Sequence, residues 1–325
     1  MGWMRIGLLL LAATVALQSA PALAQSWPSR PVRVMVGFAP GGPNDIIARA
    51  YGARLAETFG QPFVVENRTG AGGNLAAEVV ARAAPDGHTL MLGSTGTNAV
   101  NPSLYRELSF DLVRDLAIVT LVATSPSALA VHPRVPARNV RELIALARAR
   151  PGELTYASAG SGSSQHLAAE LFKQMAGVDI VHVPYKGAAP GIADLVAGQV
   201  DMSFAPVANV VPLAKGGKLR LLALTSARAS AFAPDTPTIS ETGLPGFDVW
   251  TWYAVFATAG TPGDVVDRLH AELARIAQLP QVKEPLANIG VDTETSASPA
   301  QARAHRASEV EKWGKLVRAI GVKVE

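Results

Sequence analysis

The chain has 325 residues, 49% hydrophobic and 6% aromatic, with 29 Lys and Arg against 26 Asp and Glu for a net charge of +3. That balance provides no electrostatic footprint for nucleic acid, and no block of like charge marks a membrane-surface patch. The absence of cysteine excludes a disulfide framework, a thiolate metal site, a cysteine nucleophile and a lipid-modified cysteine anchor.

The N-terminus sets the compartment. Arg5 ends a short basic segment, residues 6–17 are apolar apart from Gly7 and Thr14, and Ala22-Leu23-Ala24 is a small-x-small cleavage pattern. This predicts a secretory signal peptide over residues 1–24. The apolar run is short for a membrane span, which needs roughly 20 residues. The remaining chain of about 300 residues is near the size at which one core gives way to two. A soluble, periplasmic monomer is expected.

Strand and helix signals then alternate. Val32-Arg33-Val34-Met35-Val36 reads as a strand, followed by the Gly/Pro loop at residues 38–43, with Asn44 or Asp45 available to cap the next helix. Ile47, Tyr51 and Leu55 define one face of that helix. Phe63-Val64-Val65 is a second strand, Gly70-Ala71-Gly72-Gly73-Asn74 opens a second helix, and Thr89-Leu90-Met91-Leu92 is a third strand ending in small polar residues at 93–98. Residues 118–131, broken at Ser125-Pro126, read as a strand pair passing from one lobe to another. Val140, Leu143, Ile144 and Ala147 mark a helix stopped by Pro151-Gly152.

The rhythm continues with a strand at residues 154–157, the small-residue loop 158–164, a helix carrying Leu167, Leu171 and Met175, and a strand at 180–183. A helix with Ile192, Leu195 and Val196 and strands at 200–204 and 219–224 follow. Residues 249–257 are extended and return the chain to the first lobe. Val266, Leu269, Leu273 and Ile276 form one late helical face, and Val310, Trp313, Val317 and Ile320 another. Alternating strands and helices predict an α/β fold with mostly parallel sheets.

The loops carry the functional signal. In open α/β sheets, ligands bind beyond the carboxyl ends of the strands. There the chain places Gly, Ser, Thr and Asn, and each loop precedes a helix whose first N–H groups lack intrahelical partners. Those groups and the positive end of the helix dipole favour a carboxylate. Basic side chains are nearly absent from these loops; Lys186 is the exception and is assigned to the rim. Plainer readings exist: Gly41-Gly42 as a tight turn, Asp45 as a helix cap, and Asn67-Arg68-Thr69 as a chance sequon. The seven small residues at 158–164 are harder to explain as structure alone.

Catalytic readings fail on spacing. Neither residues 160–165 nor 70–75 complete the dinucleotide fingerprint, and no phosphate-binding P-loop or Gly-x-Ser-x-Gly elbow is present. The six histidines lack zinc-ligand spacing. His166, just after Ser163 and Ser164, is read as a polar residue at the pocket rim rather than as the base of a serine hydrolase. No cofactor and no metal are expected.

Several stretches resemble the Bug-type receptors, the substrate-binding subunits of tripartite tricarboxylate transporters. They are residues 27–33, Phe38-Ala39-Pro40-Gly41-Gly42-Pro43-Asn44-Asp45, residues 65–74, Ala84-Pro85-Asp86-Gly87, residues 156–163, His182-Val183-Pro184-Tyr185-Lys186-Gly187 and residues 256–262. The resemblance covers essentially the whole chain after the leader, in order. It implies a two-lobed type II periplasmic binding fold, with residues 25–125 plus 247–325 as lobe one and residues 126–246 as lobe two, closing over a small organic carboxylate. It implies membrane permease subunits as partners and no catalysis.

The resemblance also implies that the loops of residues 38–45 and 158–164 hold the ligand carboxylate, partly through water, while residues 94–98 and the stretch after Phe204 shape its distal end. The candidate ligand residues are Phe38, Ala39, Gly41, Gly42 and Asp45; Ser94, Thr95, Thr97 and Asn98; Ser158, Gly160, Ser161, Gly162, Ser163, Ser164 and His166; and Tyr185 and Ala205. Two positions depart from the family pattern: Thr69 replaces a usual Pro, and Ala205 stands where many relatives have Asp. Ala205 removes an acceptor for an ammonium or hydroxyl group. A receptor feeding a membrane sensor kinase is the alternative that uses the same pocket, and an exported serine hydrolase is the alternative with chemistry.

Overall fold

The structure, a computed structural model, describes residues 27–105, 107–185 and 187–321. The expected leader at residues 1–24 and the rim assignment of Lys186 lie outside the described residues. Two sheets are present, each built on a βαβαβ unit. In the first unit, β1 (Val32–Val36), α1 (Pro43–Phe59), β2 (Phe63–Asn67), α2 (Asn74–Ala81) and β3 (Thr89–Ser94) follow in order. Parallel pairing places β1 between β2 and β3. The chain then passes through a π-helical turn (Gly96–Val100) and α3 (Asn101–Leu104) into β4 (Leu116–Ser125), Pro126, β5 (Ser127–Val131) and α4 (Val140–Ala149).

The second unit repeats the topology of the first. It comprises β6 (Thr155–Ser158), α5 (Ser164–Ala176), β7 (Val181–Pro184), α6 (Ala188–Val196) and β8 (Met202–Pro206). Here β6 lies between β7 and β8, again by parallel pairing. α7 (Val207–Lys215), β9 (Arg220–Leu224) and α8 (Ile239–Thr242) complete the second sheet's surroundings. β10 (Thr251–Thr258) returns to the first sheet, followed by α9 (Gly263–Ile276), α10 (Pro280–Ala287), β11 (Asp292–Thr293) and α11 (Pro299–Ile320). The strand orders are β11-β4-β10-β3-β1-β2 and β7-β6-β8-β5-β9.

The two-lobed α/β architecture stands, but the sheets are mixed rather than mostly parallel. β10 runs antiparallel to β3 and β4, and β5 runs antiparallel to β8 and β9. The cause is the pair of crossings: a strand arriving from the other sheet has no crossover helix to restore its direction. The crossings lie side by side. The Thr225 hydroxyl reaches the carbonyl of Ser127 beside the first (3.1 Å) and that of Val249 on the second (2.6 Å).

Local chemistry explains the helix boundaries. Gly42 is the N-cap of α1 and Pro43 its first residue, where the fixed φ and missing N–H of proline cost nothing. Asn44 and Asp45 therefore sit in the first turn and do not cap it. Asn139 caps α4 by accepting from Glu142 N–H at 2.9 Å, and the buried face Val140, Leu143, Ile144 and Ala147 is the one the sequence pattern defines. In α9 the buried face uses Val265 where the sequence suggested Val266. In α11 the buried positions include two charged residues, Arg306 and Glu309.

Candidate ligand-binding cleft

The topology fixes where a ligand can sit. From β1 the connections leave to β2 on one side and, after it, to β3 on the other, so the crevice lies beyond the ends of β1 and β3. The corresponding place in the second sheet lies beyond β6 and β8. The Gly/Pro loop leaves from β1 and the Gly/Ser loop from β6, one in each lobe.

In the first lobe, Asp45 organises the loop at residues 38–42. Its carboxylate is buried and accepts from Gly41 N–H (3.0 Å), Arg49 Nε (3.0 Å) and Asn67 Nδ2 (3.0 Å). The same Asn67 amide donates to the Phe38 carbonyl at 3.0 Å. These contacts, the Arg49 guanidinium foremost, outweigh the opposing effect of burial and hold the Asp45 carboxyl down to about 2. Its acceptor capacity is spent on these three partners, so Asp45 braces the loop. Gly41 N–H is likewise committed to Asp45.

In the second lobe the loop at residues 158–164 is braced in the same way. Gly160 N–H donates to Ser158 Oγ (3.1 Å), Ser163 N–H to the Gly160 carbonyl (3.1 Å), and Gly162 N–H to His166 Nδ1 (3.0 Å). Ser163 is the N-cap of α5 and accepts from His166 N–H at 3.3 Å. Behind the loop, the His166 and His182 rings stack at 4.3 Å and the His182 and Tyr156 rings at 4.8 Å. His182 Nε2 lies 2.6 Å from Ser158 Oγ. Burial pushes His182 down to about 4, with His166 adding to the effect, and burial lowers His166 as well.

Residues 94–104 form the third wall. Thr95 Oγ1 accepts from Trp252 N–H (2.8 Å) and Thr97 Oγ1 donates to the Gly72 carbonyl (2.7 Å). Asn98 Oδ1 accepts from Ser94 N–H at 3.2 Å. Asn101 Nδ2 donates to the Gly72 carbonyl (3.1 Å) and to Asn74 Oδ1 (2.8 Å). The Nδ2 groups of Asn44, Asn74 and Asn98 are buried and meet no protein acceptor, which leaves donor capacity around the first-lobe loops.

Together these segments enclose a cleft of about 390 Å³ lined by Phe38, Gly72, Ser94, Thr95, Gly96, Asn101, Leu104, Tyr105, Ser161, Gly162, Ser163, Ser164 and Thr251. Of the expected residues, Phe38, Ser94, Thr95, Ser161, Gly162, Ser163 and Ser164 are on its wall. Ala39, Gly41 and Gly42 belong to the Phe38 loop without lining the cleft. Thr97, Asn98, Ser158, Gly160 and His166 hold the loops from behind. Tyr185 turns its hydroxyl to Asp194 at 2.7 Å, and Ala205 is fully buried in β8 opposite Ala128. Sequence reasoning did not name Gly72, Asn101, Leu104, Tyr105 and Thr251, or Gly96 individually although it lies in the 94–98 loop; for Gly72 the paired glycines Gly72-Gly73 were the available signal.

No Lys or Arg lines the cleft among the described residues. Its polar groups are hydroxyls, amides and the starts of helices, and Phe38, Leu104 and Tyr105 supply the apolar surface. A second cavity of about 340 Å³ lies at the crossings, lined among others by Arg228, Trp250, Asp292 and Glu294. It shares no residue with the cleft and has two carboxylates in its wall, so it does not suit an anion.

A two-lobed fold with ligand loops facing each other from equivalent strand ends defines a solute-binding protein. Residues 47–322 match the family described as tripartite tricarboxylate transporter family receptor, and the chain belongs to that family. It is 36% identical over 321 residues to Protein BugT of Bordetella pertussis, covering 98% of this chain and 97% of BugT. The structure of R. palustris Rpa4515 with adipate is 38% identical with a TM-score of 0.75, covering 91% of this chain and 99% of that one. MatC from Rhodopseudomonas palustris with bound malate is 35% identical with a TM-score of 0.72, covering 90% and 100%. The chain is a Bug-type solute-binding receptor, not an enzyme.

Proposed function

We propose that the chain captures a small organic carboxylate in the 390 Å³ cleft and delivers it, as a periplasmic monomer, to the permease subunits of a tripartite transporter. The observation that carries this reading is the convergence on a single cleft of the loop after β1, through Phe38, and the Gly/Ser loop that opens α5. The α5 N-terminus reaches the wall through Ser163 and Ser164, and an anion there gains hydrogen bonds without needing a cationic side chain. Charge-assisted bonds of this kind contribute about 1.5–3 kcal/mol each. Phe38, Leu104 and Tyr105 suit the carbon skeleton that follows the carboxylate. Export by a cleavable leader over residues 1–24 belongs to the same reading, as does division into residues 25–125 plus 247–325 and residues 126–246.

Native mass spectrometry of protein purified gently from periplasm tests the ligand class, followed by calorimetry with adipate and malate. A co-purifying carboxylate that competes with added ligand is the expected result. Recovery of a neutral or cationic solute as the tight ligand would overturn the reading.

A further inference from the structure

The two ligand loops share one hook. Gly41 N–H donates to the Asp45 side chain and Gly162 N–H donates to the His166 side chain, both at 3.0 Å and both across four residues. The glycines have nearly the same backbone, with φ of 81° and 79°. In each case the acceptor sits at the third residue of the helix, after the N-caps Gly42 and Ser163. The loops leave from equivalent strands, β1 and β6. The hooks are therefore counterparts, one closed by an acid and the other by an imidazole.

We infer that His166 is the positioning residue of the second-lobe ligand loop, the counterpart of Asp45, and that its neutral ring makes carboxylate capture weaken on acidification. The inference rests on the cleft being the carboxylate site. Gly162 N–H can only donate, so His166 Nδ1 must carry a lone pair. A proton on Nδ1 sets two donors against each other and releases Gly162 from the hook. The Ser158–His182 contact is not vulnerable in the same way. Its hydroxyl can turn toward the Gly160 carbonyl, 3.2 Å away, and accept from a protonated ring.

The surroundings of His166 keep the ring neutral at ordinary pH. It is 4% exposed and stacked on His182. On its own helix, Glu170 favours the charged form and Lys173 opposes it. Lys173 Nζ pairs with Glu170 Oε1 at 2.9 Å, and Tyr156 OH from β6 donates to the same oxygen at 2.8 Å. His182, on β7, is itself held neutral to about 4. One oxygen of the Glu170 carboxylate is thus shared by Lys173 and Tyr156, and burial is the largest influence on the ring. Asp45, held down to about 2, stays ionised throughout the range in which His166 titrates. Acid therefore loosens one loop and leaves the other.

Three forms of the protein test this: wild type, His166→Asn, whose amide oxygen replaces Nδ1 without titrating, and His166→Ala. In ligand-free protein, amide exchange and the nitrogen shift of Gly162 are followed from pH 8 to pH 4. The expected result is a Gly162 signal that titrates with the His166 ring in wild type, is flat in His166→Asn, and is unprotected at every pH in His166→Ala. Adipate calorimetry on the same samples reads the coupling. Losing one such bond corresponds to roughly a three- to tenfold loss of affinity, expected in wild type as His166 protonates. His166→Asn should bind more weakly than wild type at pH 8, recover part of the loss seen in His166→Ala, and show only the pH dependence of adipate itself. A Gly162 amide indifferent to the His166 titration, or an affinity that rises as the ring charges, overturns the inference. Failure of adipate to bind at any pH would count against adipate as a ligand, and the ligand-free arm would still decide the role of His166.

Discussion

Leu104 Cδ2 lies 2.9 Å from the point where a β-carbon on Gly162 would begin. Leu104 belongs to the first lobe and Gly162 to the second, so the lobes meet over the cleft and a methyl group on Gly162 would have to push the Leu104 side chain aside. Gly162 also has a φ of 79°, which L-residues rarely adopt. Gly162→Ala should therefore cost about 1–2 kcal/mol in stability and weaken carboxylate binding tenfold or more. Adding Leu104→Ala should recover part of the binding loss, because it removes the wedge but not the backbone strain. Urea unfolding and calorimetry on the single and double variants separate the two effects.

Asp45 makes the first-lobe loop acid-sensitive at its own, lower pH. Its folded value of about 2 lies below its ordinary 3.8, so the unfolded chain takes the proton first. The stabilisation is complete above pH ~4 and is lost as pH falls from about 4 to about 2, a contribution of about 2 kcal/mol. The difference in unfolding free energy between wild type and Asp45→Asn should be constant from pH 7 to 5 and shrink below pH 4.

Arg306 should prove a structural charge. It is 5% exposed, and its guanidinium donates to the carbonyls of Leu116 (2.7 Å), Asn98 (3.4 Å) and Leu112 while lying over the Phe256 ring. Burial pushes its pKa down to about 10, so the ring of carbonyls receives a charged donor at neutral pH. Arg306→Met keeps the volume and strands those carbonyls. A loss of about 3 kcal/mol in urea unfolding is expected.

Hinge closure should be visible in tryptophan emission. Trp250 stacks on His305 at 5.3 Å and lies under Arg228, whose partner Glu294 is on the first-lobe side of the crossings, 3.3 Å away. Movement about residues 124–128 and 247–253 would change this packing, and closure around ligand is the usual behaviour of such receptors. Saturating carboxylate should change Trp250 emission and reduce the radius of gyration in small-angle scattering; Trp250→Phe should remove the first signal and keep the second.

Much of the fold was legible because its determinants are local. The apolar spacing of Val140, Leu143, Ile144 and Ala147 and the break at Ser125-Pro126 each fix an element without reference to the rest of the chain. The antiparallel strands were not legible, since their direction depends on which sheet the chain has come from. The site was legible as loops but not as atoms. Composition revealed the Gly/Ser loops, yet it could not show that Asp45 and His166 bond back to their own glycines. Nor could it show that Leu104, at the end of a short helix after β3, and Tyr105, just beyond it, would close the wall. Arg306 and Glu309 escaped because a search for apolar periodicity passes over buried charges.

Calorimetry on Gly42→Asp tests the central claim most directly. Gly42 has a φ of −79°, and a β-carbon there would lie 3.5 Å from the Ala39 carbonyl, an ordinary contact. Aspartate is also a favourable N-cap, so stability should be unchanged or raised. Its carboxylate, however, would add a negative charge at the start of α1, in the loop whose Phe38 lines the cleft. Like charges about 4–8 Å apart repel by about 4–2 kcal/mol at an effective dielectric near 20, roughly a thirtyfold to thousandfold loss. The account predicts that Gly42→Asp unfolds at or above the wild-type urea midpoint and no longer binds carboxylate, while Gly42→Ser, a cap without charge, still binds. Wild-type affinity in a well-folded Gly42→Asp protein would contradict it.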